Sequence, residues 1–120
     1  MSVDLRGMGH QESATISAST DTMAIADQGI VQNVTVNSVI TLPATVVGYS
    51  FTFRVGAPGI TVAISPNSSD LIAGNGFTAA DDKDLLFTNQ PAGSFVTVVG
   101  NGTTGWNVTA ISGTATREAA

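Results

Sequence analysis

A period of two constrains this chain more than any other feature. Tyr49-Ser50-Phe51-Thr52-Phe53-Arg54-Val55 alternates apolar and polar side chains, as do Ile60-Thr61-Val62-Ala63-Ile64-Ser65 and Trp106-Asn107-Val108-Thr109. Successive side chains of an extended strand project to opposite faces, so this alternation marks strands with one buried face. After residue 29 there is almost no helical signal. Such runs recur every 8–12 residues or so between Gly, Pro and Asn turns, the spacing of a sandwich or barrel. The expected fold is all-β: an antiparallel β-sandwich or barrel of about seven to nine short strands with an extended N-terminal arm.

Strand signals begin near Met23-Ala24-Ile25, and Asp27-Gln28-Gly29 reads as a turn. Val34-Thr35-Val36 and Val39-Ile40-Thr41-Leu42 follow. Pro43 ends the second run because it lacks an amide proton and holds Leu42 extended. Tyr49–Val55 and Ile60–Ser65 flank Ala57-Pro58-Gly59, which predicts a hairpin from Tyr49 to Ser65. Leu71-Ile72, Leu85–Thr88, Ser94–Val99 and Trp106–Ile111 complete the set. Ala79–Asp84 is long enough for one helical turn only. The core anchors predicted from the alternation are Leu42, Tyr49, Phe51, Phe53, Phe87 and Trp106, joined by Val55, Ile60, Val62, Ile64, Val96, Val98 and Val108. Each large apolar side chain contributes roughly 1.5–3 kcal/mol when fully buried. The predicted organisation is an arm over residues 1–20, a single β-domain over 21–113 and a polar tail over 114–120. The polar arm is punctuated by glycine and serine and fits two readings: a disordered terminus, or a segment that orders on a neighbour; Thr15-Ile16-Ser17 carries one weak strand signal within it.

At 120 residues the chain is the size of one domain. Only 11% of residues are charged, against about a quarter in an average soluble domain. Its exterior must therefore be Ser, Thr, Asn, Gly and Ala, a surface suited to contact with other protein. The net charge is −5, and the cations Arg6, Arg54, Lys83 and Arg117 are scattered. Nucleic acid requires clustered Lys and Arg to displace counterions from phosphates, so direct binding is not expected. Anionic membranes are disfavoured for the same reason. The chain lacks Cys, which excludes disulfides and thiolate metal sites. Met1–Gly7 has no apolar core of a signal peptide, and no run reaches the roughly 20 apolar residues of a transmembrane helix.

Motifs that resemble chemistry have structural explanations. Gly100-Asn101-Gly102-Thr103-Thr104-Gly105 spells G-x-G-x-x-G, but a dinucleotide site needs a helix next, and Trp106–Thr109 is a strand. A hairpin connection is expected instead. Asp81, Asp82 and Asp84 lack the spacing and closing Glu of a calcium loop. His10 is the sole imidazole and lies in the arm, a poor place for a catalytic triad. Trp106 is expected in the core with its N–H bonded to backbone, the alternative being a sugar-stacking platform. Sequons at Asn33, Asn67, Asn101 and Asn107 follow from an Asn/Ser/Thr-rich composition. No cofactor, metal or catalytic residue is expected.

Val39-Ile40-Thr41-Leu42-Pro43, then Gly48-Tyr49-Ser50-Phe51-Thr52-Phe53, then Gly102-Thr103-Thr104-Gly105-Trp106-Asn107-Val108 together resemble a β-module of tailed-bacteriophage structural proteins. In that module an I/T-L-P strand leads to G-x-x-(Y/F)-x-F, and G-x-x-G-W-x-V closes the unit. The resemblance covers about residues 22–112 and extends to capsid decoration (cement) proteins, head fibres and tail fibres. It implies a non-enzymatic homotrimer on the outer capsid surface of the virion, assembled in the host cytoplasm and bridging neighbouring capsomers. The implied partners are the chain itself and the major capsid protein. On this reading Val3, Leu5, Arg6, Met8, His10 and Ile16 of the arm grip the coat. The alternative within the same resemblance is a tail-fibre or spike module that binds a host glycan through loops near Asn67 and Asn101, with Trp106 as platform.

Overall fold

The computed structural model describes residues 13–74 and 83–118. Eleven short strands lie among them: β1 (Ser13–Ile16), β2 (Thr20–Thr22), β3 (Val31–Val34), β4 (Ser38–Thr41), β5 (Ser50–Val55), β6 (Thr61–Ser65), β7 (Leu71–Ala73), β8 (Leu85–Thr88), β9 (Phe95–Gly100), β10 (Gly105–Ser112) and β11 (Thr116–Arg117). They form a six-stranded sheet in the order β1-β3-β5-β9-β10-β7 and a five-stranded sheet in the order β11-β8-β6-β4-β2. The two sheets enclose a single apolar core, so the all-β sandwich of short strands is the fold. No helix among the described residues is long and apolar enough to cross a membrane.

The first half of the chain winds. β1, β3 and β5 are parallel neighbours in one sheet, while β2, β4 and β6 are parallel neighbours in the other. Each pair β1/β2, β3/β4 and β5/β6 is therefore one rung that crosses from sheet to sheet, and three rungs stack in register. Ile16 sits over Val34 and Val34 over Val55, giving a ladder of buried aliphatic side chains. Polar side chains staple the corners between rungs. Thr35 Oγ1 donates to the Ile16 carbonyl at 3.2 Å, Ser38 Oγ to the Ala18 carbonyl at 2.9 Å, and the Thr61 amide to Asn37 Oδ1 at 2.9 Å. In the second half β9 pairs antiparallel with β5, β8 with β6 and β10 with β9, while β7 lies parallel to β10 at the sheet edge.

Several expectations change. The sheets are mixed rather than antiparallel, because a chain that crosses to the opposite sheet after each strand returns to the first sheet in its original direction. The Tyr49–Ser65 stretch is two strands but not a hairpin. β5 and β6 lie in different sheets, and Gly56–Ile60 arches across the core between them. Eleven strands exceed the anticipated number because Ser13–Thr22 contributes β1 and β2 and the tail adds β11, whereas Met23-Ala24-Ile25, expected to open the strands, instead leads into a 3-10 turn at Ile25–Asp27. Ile16, assigned to the arm, is 2% exposed and belongs to the core, and Ser13–Thr22 forms the first rung rather than an arm. In the tail, Thr116–Arg117 pairs with β8. Five predicted anchors, Leu42, Phe51, Phe53, Phe87 and Trp106, are buried, and Tyr49 packs against them half-buried. Phe51 meets Trp106 edge-on at 5.4 Å between ring centroids, the geometry aromatic quadrupoles favour.

Candidate interaction surface

Alternation places every second strand residue on an outer face, and those positions are almost free of charge. Asp21, Arg54 and Arg117 are the charged residues in the eleven strands. On the six-stranded sheet, register aligns one outward row as Thr15, Asn33, Arg54, Phe95 and Ser112, and another as Ser13, Val31, Thr52, Thr97 and Ala110. Among the described residues, Arg54 is the single charged side chain on this face. The five-stranded sheet presents Thr20, Val39, Ala63, Leu86 and Thr116 in one outward row. Val39 there is 44% exposed.

The six-stranded face is pre-organised by cross-strand bonds. Thr52 and Thr97 share a hydroxyl–hydroxyl bond of 2.8 Å, and Thr109 Oγ1 donates to the Thr97 carbonyl at 3.4 Å. Arg54 Nη1 donates to Asn33 Oδ1 at 2.6 Å across the β3–β5 pair. A shallow groove of about 510 Å³ runs over the face, lined by Val31, Ser50, Thr52, Arg54, Gly93, Phe95 and Thr97. Among the described residues no carboxylate lines it. Gly93 has φ +99°, and a Cβ there would lie 3.9 Å from the Arg54 guanidinium. The bend therefore needs glycine, and the lack of a side chain leaves the cation uncrowded.

Other sequence candidates fall out differently. Gly100–Gly105 is the β9–β10 hairpin, as expected. Asn101 Oδ1 accepts the amides of Thr103, Thr104 and Gly105 at 2.9–3.0 Å, and Asn101 Nδ2 donates to Thr104 Oγ1 at 2.8 Å. That carboxamide is engaged within its own loop. Gly105 is required because a Cβ would collide with the Leu71 backbone. Trp106 is 0% exposed and offers no stacking platform for a sugar. Its Nε1 has no hydrogen-bond partner, contrary to the expected backbone bond. No group of His, Asp and Glu able to hold a metal exists among the described residues. Val3, Leu5, Arg6, Met8, His10, Asp81 and Asp82 lie outside the described residues.

Sequence reasoning did not single out Arg54 or the two outer faces. A signal was present: the outward positions of the alternating runs are nearly all hydroxyl, amide or small apolar residues, and Arg54 breaks the pattern. Comparison of the chain with family models, with curated proteins and with solved structures gives no match in any of the three.

Proposed function

We propose that this chain is a non-catalytic component of a tailed-bacteriophage virion, a capsid decoration (cement) protein. It binds the outer capsid surface as a trimer and bridges neighbouring capsomers. The near absence of charge on both outer sheet faces carries this reading. Covering a surface desolvates it, and an unpaired charge there costs far more than a hydroxyl that finds a partner. The centres of protein interfaces are accordingly depleted in charged residues. Two such faces on opposite sides of a thin sandwich allow one molecule to contact both its own copies and a larger body. Ser13, the first described residue, lies in the edge strand of the six-stranded sheet. Closed symmetry presents identical contacts to equivalent patches of a shell, and their linkage gives avidity without strong individual contacts.

The test is binding to expanded empty shells assembled from the major capsid protein of the phage that encodes this chain. Saturable decoration and a raised shell melting temperature are expected. Failure to bind those shells refutes the reading.

A further inference from the structure

Arg54 is hard to reconcile with an interface unless something pairs with it. It stands near the middle of the six-stranded face, on the β5 strand between β3 and β9. Among the described residues its hydrogen-bond partner is the neutral amide oxygen of Asn33, which orients the guanidinium without neutralising it. Resting on the reading that this face is covered in the assembly, we infer that a second copy of this chain covers it and sets one of its carboxylates against Arg54.

Charge complementarity favours a copy as the occupant. The chain holds nine Asp and Glu against four Lys and Arg, so the surface of another copy is a source of carboxylates. Two copies at −5 each repel at long range, and a cation in the contact offsets part of that repulsion locally. The groove gives the incoming carboxylate room: Gly93 adds no side chain, and Ser50, Thr52 and Thr97 supply hydroxyls around the cation. The guanidinium fork retains donors beyond the one Asn33 uses, and a carboxylate accepts two of them side by side. Because the surrounding face is neutral, the pair is screened from solvent once covered and becomes a selective contact.

The experiment is sedimentation velocity of the full chain over a wide concentration range, with thermal melts of every variant to establish folding. The parent is expected to self-associate. Arg54→Glu is expected to weaken association about 30-fold or more, Arg54→Gln less, and Arg54→Lys to retain part of it, all with parental melting temperatures. Arg117→Gln, at the far edge of the other sheet, is expected to associate like the parent. A parent that stays monomeric overturns the inference, as does an Arg54→Glu variant that associates as the parent does. Both outcomes leave the decoration reading to be decided by shell binding, which does not require free copies to associate.

Discussion

Asp21 stands in register with Ile40, on the core-facing side of the five-stranded sheet. Ile40 and Ile64 continue that row and are fully buried, whereas Asp21 is exposed in the last strand of the stack among the described residues. The Ser19 carbonyl and the Met23 amide bond to β4, so by the strand's period of two the Thr22 amide faces away from β4, at the edge of the described sheet. Asp21 Oδ1 accepts that amide at 2.8 Å. One carboxylate thus covers an edge donor and puts a charge where another rung would need an apolar side chain. Inward-register charge is a recognised means of keeping an edge strand from pairing with another chain.

Asp21→Val should therefore extend the apolar ladder and expose the Thr22 amide. The expected result is concentration-dependent association beyond the parent's own assembly, followed by light scattering, with a melting temperature no lower than the parent's. Unchanged mass at every concentration would show that Asp21 does not guard the end.

The rung corners should be measurable too. Ser38 is 4% exposed and its hydroxyl bonds the Ala18 carbonyl. Ser38→Ala leaves that carbonyl without this donor in a partly buried corner, a loss of about 1–2 kcal/mol. Asn37→Ala removes the exposed acceptor of the Thr61 amide, where water substitutes, and should cost less. Urea unfolding of the two variants checks the order, and equal costs would refute the assignment of Ser38 as the more buried staple.

The sequence displayed the strands more clearly than their partners, and the reason is local. Period two shows that Tyr49–Val55 and Ile60–Ser65 are extended, but a hairpin and a cross-core arch use the same turn residues. What separates them is whether β5 finds β6 or finds β3 and β9, a question of long-range pairing. Val34-Thr35-Val36 reads as one unbroken strand because its corner contains neither Gly nor Pro. Thr35 turns the chain there by bonding the carbonyl of Ile16, a residue 19 positions earlier. Ile16 itself looks like an isolated apolar residue in a polar stretch, yet a short rung strand needs only one inward anchor when the rung below supplies the rest. The same limit applied to the candidate surface. Arg54 is visible as the exception among outward positions, but its juxtaposition with Asn33 requires the β3–β5 register.

Gln32 offers a stabilising substitution. It is 3% exposed, in register with Ala14 and Phe53 on the inward face, and its Nε2 has no hydrogen-bond partner. A buried donor left unpaired costs about 1–3 kcal/mol, and an apolar replacement of similar shape removes that cost. Gln32→Leu should raise unfolding free energy by about 1 kcal/mol. A fall in stability would mean that the amide is satisfied in solution.

Two truncations separate attachment from folding. Deleting residues 2–12 removes none of the described core, so the shortened chain should melt close to the parent. On the decoration reading it should also lose shell binding, because Val3, Leu5, Arg6, Met8 and His10 go with it. Deleting residues 2–20 is a different experiment. It takes away β1, the burial of Ile16, the acceptors of Thr35 and Ser38, and the cover over Val34 and Gln32. Burial of Ile16 alone is worth roughly 1.5–3 kcal/mol, and the stranded hydroxyl and ladder groups of the second rung add to it. Unfolding in urea should therefore find the longer deletion destabilised by at least about 3 kcal/mol. Equal stability of the two truncations would place Ser13–Thr20 outside the folded body. Full shell decoration by the 2–12 deletion would remove the arm from the attachment mechanism and leave the sheet faces as the whole of the contact.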